Sequence, residues 1–291
     1  MPNKPNSWNL VTLTLAPAHE DFASSLLFDL GTLGTITLEE TAEEIKLGAY
    51  FEESSDTSGI AQAIKAEFAR AGREHDLIAL SLSTVEDADW MHKWKEGFEA
   101  AAIGTRLLVA PSWKLPAHTD GREVIQIDPG MAFGTGTHET TRLCLELIER
   151  YWRGGSLLDV GTGTGILAIA AALLQPEGRI TAIDVDPVAV EVAGENLAIN
   201  HVADRISIIE AQPAQLAGRN FDVVVANLTA EVIVDLMGDL APCVKQDGWM
   251  ILSGILNELR EDVERSAIAA KLIVIDRQES GEWSALVAQK L

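Results

Sequence analysis

The sequence predicts an α/β fold: a doubly wound, mainly parallel sheet with helices on both faces, joined to a smaller N-terminal α+β domain. Three observations lead there. From Thr140 onwards, apolar segments of strand length alternate with segments of helical periodicity. Residues 1–88 instead carry the order strand, helix, strand, strand, helix, strand. The length, 291 residues, suits two domains at roughly 100–200 residues each.

In the N-terminal part, residues 8–15 alternate as a strand, and residues 19–30 place Phe22, Leu26, Leu27 and Leu30 at helical spacing. Gly31 and Gly34 stop that helix. Residues 35–39 and 45–50 read as strands, 60–71 as a helix with Ile60, Ile64 and Phe68 on one face, and 77–85 as a strand. This order is that of a ferredoxin-like, split β-α-β-β-α-β unit. Residues 89–101 read as a linker helix with Trp90, Trp94 and Phe98 as a stripe, which either packs between domains or binds a ligand.

The second domain spans residues 102–291. It opens with strands at 103–110 and 124–127, separated by loops around Pro111, Pro116, Pro129 and Gly130. A helix carrying Leu143, Leu147 and Ile148 follows. Strands then fall at 156–160, 180–184, 206–209, 223–226 and 248–253, and helices at 166–174, 188–199, 232–240 and 256–270. Two consecutive strands, 272–277 and 283–289, form a terminal hairpin, which puts one antiparallel strand into the parallel sheet.

Composition narrows the function. Asp and Glu number 44 against 22 Lys and Arg, a net charge of −22. Residues 1–100 alone hold 18 acids and 7 bases. Such a chain repels a phosphate backbone, and no run of Lys and Arg offsets this, so direct nucleic-acid binding is not expected. A basic protein or a cationic small molecule suits the charge, although acidity also serves solubility. No apolar stretch nears the ~20 residues of a membrane span. The polar start, residues 1–9, has no apolar signal core, so a soluble, cytoplasmic protein is expected. Cys144 and Cys243 form no CxxC pair and six histidines are scattered, which argues for two buried thiols in a reducing compartment and no metal site.

Four loops carry the chemistry. The first is Asp159-Val160-Gly161-Thr162-Gly163-Thr164-Gly165, between an apolar strand and an apolar helix. Such a turn lets backbone approach a ligand at the carboxyl edge of an open sheet. The spacing is GxGxG, not the GxGxxG of dinucleotide sites, and no GK[ST] of a P-loop follows. An acid two residues before Gly161 disfavours a diphosphate and favours a sulfonium or ammonium. S-adenosylmethionine has both cations and no phosphate. Second, Asp184 closes the next strand 23 residues past Gly161, where an acid can accept both ribose hydroxyls. Asp186 before Pro187 reads as a helix cap. Third, Asn227 ends the 223–226 strand. It can orient an incoming amine, bind the methionine portion of the cofactor, or cap the following turn. Fourth, the loop Asp128 to Arg142 holds Phe133, His138, Thr140 and Thr141 ahead of a helix. It can fold over a ligand, and its threonines can either receive a carboxylate or cap the helix.

Together these segments resemble the ribosomal protein methyltransferase family of PrmA type, which modifies protein eleven of the large ribosomal subunit. The resemblance rests on Met131 to Arg142, the DxGxGxG stretch from Asp159, Asp184-Val185-Asp186-Pro187, Val224 to Leu228, and Gly281-Glu282-Trp283. It covers residues 89 to the end in detail and residues 1–88 only in plan. It implies the methyltransferase type of Rossmann-like fold. It also implies cofactor contacts at Thr141, Gly161, Gly163, Asp184 and Asn227 with His138 nearby, and methylation of lysine side chains and an N-terminal amine. The N-terminal domain would hold the free ribosomal protein. Apart from the resemblance, a monomer is favoured over an oligomer, and the sequence alone does not fix the oligomeric state. Three rivals stand beside it: a nicotinamide oxidoreductase, a methyltransferase acting on amides, adenine or another amine, and a non-catalytic module of ribosome assembly. Amide and adenine enzymes use Asn followed by Pro-Pro and an aromatic residue, whereas Leu228-Thr229-Ala230 follows here.

Overall fold

The computed structural model describes residues 7–32, 34–41, 43–86, 100–127, 138–216 and 218–291. These fall into two compact units, one before residue 87 and one from Ala100 onwards. The Trp90, Trp94 and Phe98 stripe, most of the expected linker helix over 89–101, and the glycine-rich loop 128–137 lie outside the described residues.

The first unit contains β1 (Ser7–Leu15), α1 (Glu20–Asp29), β2 (Gly34–Glu40), β3 (Ile45–Glu52), α2 (Thr57–Arg70) and β4 (Leu77–Glu86). Its strands pair antiparallel in the order β2-β3-β1-β4, the order a split β-α-β-β-α-β unit produces. Alternation decides the core. Val11, Leu13 and Leu15 of β1 and Ile45, Leu47 and Phe51 of β3 share one face, and Leu27, Ile64 and Phe68 of the two helices pack on it. The Asp56 side chain caps α2 by accepting from the Gly59 amide at 3.0 Å, so that helix starts three residues before the apolar stripe does.

The second unit opens with β5 (Ala101–Ile103), β6 (Leu107–Ala110) and β7 (Glu123–Gln126), a separate three-stranded sheet. Ala101 is therefore in a strand, not at the end of a helix, and the strand expected over 103–110 is broken. Gly104 adopts φ +53°, and the amides of Thr105 and Arg106 turn to Glu149, each at 3.1 Å. Polar demand at the turn overrides a continuous apolar run.

The main sheet follows: α3 (Glu139–Tyr151), β8 (Ser156–Val160), α4 (Ile166–Leu174), β9 (Arg179–Asp184), α5 (Pro187–Ile199), β10 (Ile206–Glu210), β11 (Phe221–Asn227), α6 (Ala230–Cys243), β12 (Val244–Leu256), α7 (Arg260–Ala269), β13 (Leu272–Ser280) and β14 (Trp283–Lys290). Strand order is β10-β9-β8-β11-β12-β14-β13, with only β14 antiparallel to its neighbours. The mainly parallel sheet with one antiparallel strand matches the expectation. The helix expected over 256–270 is shorter, because β12 runs on to Leu256 and pairs there with Trp283.

Both faces of this sheet are buried, as parallel strands require. Leu157, Val223, Val225 and Ile251 meet α3 and α4, while Leu158, Val224, Met250 and Leu252 meet α6 and α7. Helix α4 is apolar all round, and eight of its residues are buried. Cys144 and Cys243 are free and buried. Among the described residues, no helix is long and apolar enough to cross a membrane.

Asn200, at the end of α5, fastens the small sheet to the large one. Its Oδ1 accepts from the Gln126 amide at 2.8 Å, and its Nδ2 donates to the Gln126 carbonyl at 2.7 Å. Replacing Asn200 with Ala should lower stability by about 1 kcal/mol, because a part-buried backbone N–H and C=O lose their partners. A guanidinium unfolding midpoint indistinguishable from that of the parent would contradict this role.

Candidate active site

The sheet brings the sequence-predicted groups to one level. Val160 of β8 lies opposite Ile183 on one side and Ala226 on the other, and Ala226 lies opposite Leu252. Asp184, Gly161, Asn227 and Ser253 therefore each stand one residue past a common line. The chain winds outward from β8 to β10 and returns at β11, so the gap between β8 and β11 is the switch point where open α/β sheets take ligands.

The glycine turn is braced against β9. Ile183 carbonyl accepts from the amides of Gly161 at 2.9 Å and Thr162 at 3.0 Å, and the Gly163 amide donates to Asp184 Oδ2 at 3.0 Å. Gly161 takes φ +68°, and a Cβ there would collide with the Leu228 side chain. The residue after Asn227 thus lies directly against the glycine turn. Gly254 faces the same segment from β12, and a side chain there would overlap the Leu228 carbonyl.

Asp184 Oδ1 accepts from the Asp186 amide at 3.1 Å. With Oδ2 held by Gly163, both oxygens are fixed by backbone donors and keep further lone pairs. Asp186 caps α5 through the Val188 amide at 2.8 Å, as its position before Pro187 implied. On the other side of the turn, Asn227 Nδ2 donates to Thr141 Oγ1 at 3.4 Å, and Thr141 is fully buried. Asn227 Oδ1 is buried without a hydrogen-bond partner among the described residues. A buried acceptor left bare costs about 1–3 kcal/mol, so the site holds a place for a donor. His138 caps α3: its Nδ1 lies 2.7 Å from Thr140 Oγ1 and 3.3 Å from the Thr140 amide. The Trp283 ring stands edge-on to it at 5.1 Å.

Asp159 departs from its expected place as a pocket-lining charge. It has no exposed surface and points to the sheet face covered by α3 and α4. Its Oδ2 accepts from Thr162 Oγ1 at 2.7 Å. Burial pushes its pKa up to about 7, against the pull of the Thr162 hydroxyl and the Ala168 amide, and the nearby Asp184 charge pushes the same way as burial. The Cys144 thiol beside it is raised by burial and by Asp159 itself.

One part of the site was not read from the sequence. A cavity of about 370 Å³ flanks the Asp184 strand tip, lined by Val185, Glu210, Ala211, Gln212 and Gln215. The Ala211 amide donates to the Asp184 carbonyl at 2.9 Å, which holds the end of β10 next to that of β9. The available signal was positional: these residues follow the third strand of the same edge.

The family model described as ribosomal protein L11 methyltransferase (PrmA) matches residues 8–291. The chain belongs to the ribosomal protein L11 methyltransferase family. It is similar to the family's member in Pelobacter propionicus, at 38% identity over 97% of either chain. Another, from Geobacter sulfurreducens, is 43% identical over 89% of this chain and 87% of its own. A crystal structure of ribosomal protein L11 methylase from Lactobacillus delbrueckii subsp. bulgaricus shares 31% identity at a TM-score of 0.61. It covers 67% of this chain and 100% of its own. Family membership sets aside the oxidoreductase rival that the glycine spacing had already weakened.

The buried carboxyl generates a prediction for the protein alone. Unfolded aspartates titrate near ~3.9, so the folded chain holds this proton more tightly than the unfolded one. Its contribution to stability is full below that value and is lost as pH rises through about 7. Asp159→Asn should flatten this part of the pH–stability curve, measured as unfolding midpoints between about pH 5 and pH 8. A slope unchanged by the substitution would count against the assignment.

Proposed function

We propose that this chain transfers methyl groups from S-adenosylmethionine to amino groups of ribosomal protein L11, on lysine side chains and at the N-terminus. The supporting observation is the pairing of Asp184 with the bare Asn227 Oδ1 on either side of one glycine turn, at one level of the sheet. When bound, the cofactor supplies a methyl group on a cationic sulfur, which an unprotonated amine accepts.

The residues present suit such a ligand. Asp184 would offer its remaining lone pairs to ribose hydroxyls, and the cavity beside Val185 would take the base. Gly161 and Gly163 allow close backbone approach, while Thr141 and His138 at the start of α3 face the amino-acid end. Asn227 has a second task. Its free amide oxygen accepts a hydrogen bond from an amine N–H and so orients the nitrogen. An amide takes no proton at neutral pH, so Asn227 positions the nucleophile and the proton leaves to water. A lysine starts near pKa ~10.4, and transfer into a dry site lowers that value towards the neutral form. Positioning supplies most of the acceleration, since the leaving group is already good. Residues 1–88 act as the substrate-recognition domain, residues 89–101 as linker and 102–291 as the catalytic domain. Acting on a free ribosomal protein, the enzyme works as a cytoplasmic monomer.

Three experiments test the reading. Asp184→Ala should abolish S-adenosylmethionine binding measured by calorimetry, and an unaltered affinity would refute the ribose assignment. Purified L11 incubated with enzyme and labelled cofactor should gain several methyl groups by intact mass. Asn227→Ala should reduce the methylation rate at saturating cofactor by a factor of about 10² or more through lost orientation of the amine. If L11 gains no mass while another protein does, the substrate assignment is wrong.

A further inference from the structure

Asp159 is more than a brace for the glycine turn. The charge of a carboxylate with no exposed surface must be compensated, or the group must hold a proton. Here Oδ2 has the Thr162 hydroxyl, and Oδ1 has no hydrogen-bond partner among the described residues. The groups that face it come from every neighbouring element. Helix α3 contributes the buried Cys144 thiol, the loop gives the Thr162 hydroxyl, the first turn of α4 gives the Ala168 amide, and the tip of β9 gives the Asp184 carboxylate. Its partners in register, Ala182 on β9 and Val225 on β11, are apolar. None of these groups is a cation. A sulfonium held at the strand tips, where Gly161 lies two residues further along the chain, would supply the missing positive charge.

We propose that Asp159 is a specificity-determining residue that reads the charge of the bound sulfur, ionised beneath the sulfonium cofactor and protonated beneath the neutral thioether product. The inference rests on the cofactor assignment above and adds to it a reason why spent cofactor is released. One proton leaves Asp159 for solvent when the sulfonium binds. One returns from solvent once the methyl group has gone and the sulfur is neutral, so the carboxyl is unchanged over a turnover. Burial holds this carboxyl at about 7, so a change in the neighbouring charge can move its proton near neutral pH. Linkage fixes the sign. A ligand that releases a proton binds more tightly as pH rises through the titration, whereas one that releases none does not. Each pKa unit by which the sulfonium lowers Asp159 adds about a factor of ten to the preference for cofactor over product.

Calorimetric titration of the full chain tests this without any turnover. S-adenosylmethionine and S-adenosylhomocysteine are each titrated in buffers of equal pH and different ionisation enthalpy, which counts the protons exchanged. Near neutral pH the sulfonium should release a larger fraction of a proton than the thioether. The affinity ratio of cofactor to product should rise several-fold from about pH 6 to about pH 8. In Asp159→Asn the two proton counts should become equal and the ratio should stop changing with pH. Thr162→Val removes a hydroxyl that favours the charge, so it should move the midpoint of the ratio to higher pH, which keeps the test open if the asparagine variant folds poorly. Infrared difference spectra should show a carboxylic-acid band lost when the sulfonium is added to the parent protein. Equal proton counts for both ligands in the parent, or a pH slope that survives in Asp159→Asn, would overturn the proposal. Failure of the parent to bind S-adenosylmethionine at all would instead remove the cofactor assignment beneath it.

Discussion

The carbonyl of Ile183 carries an unusual share of this structure. It receives two consecutive amides, from Gly161 and Thr162, and so ties the turn after β8 to the end of β9. Both residues are at the edge of a sheet whose interior is buried on both faces. Once the tie is made, the following Gly163 amide meets the Asp184 carboxylate and α4 is launched in a fixed direction. The same turn also has to leave room for Leu228, which is why the position nearest that side chain is glycine. One acceptor therefore sets the relative height of three strand ends, and the chemistry assembled there inherits its accuracy from the ladder below.

Most of the catalytic unit was legible in the sequence because its signals are local. An apolar strand ending in an acid, a GxGxG turn and an all-apolar helix need no distant information to be understood. Asp186 before Pro187 announces its own cap. The failures came where a long-range partner decides the outcome. Ile103 to Ala110 looks like one strand until Glu149, more than forty residues later, claims the amides at 105 and 106. The start of the last helix was placed too early because Leu256 pairs with Trp283, a contact that no local pattern encodes.

The site shows the same division. Gly161, Gly163, Asp184 and Asn227 could be named from spacing, since strand ends in a parallel sheet share an edge. The Thr141–Asn227 contact could only be anticipated by resemblance, because it joins residues from different elements. Asp159 was recognised as important and given the wrong surroundings. Period-two alternation puts it on the same face as Leu157, under α3 and α4, and this places its side chain in the interior instead of in the pocket. The strand-end cavity around Val185 and Gln212 carried no distinctive residue type, so only the assembled sheet reveals it.

The position of β14 bears on how the chain is put together. It lies between β12 and β13, although β13 precedes it in the sequence. During synthesis β13 leaves the ribosome before the strand that will join it to the sheet, and until then its packing partners are the helices α3 and α7. The switch-point edge is made of strands that can pair as soon as they appear, whereas this flank must wait. Trp283, which opens the late strand, rests on His138 at the head of α3. The last strand to be made thus reaches back to a helix start made much earlier, and the mouth of the site is finished only when the sheet is.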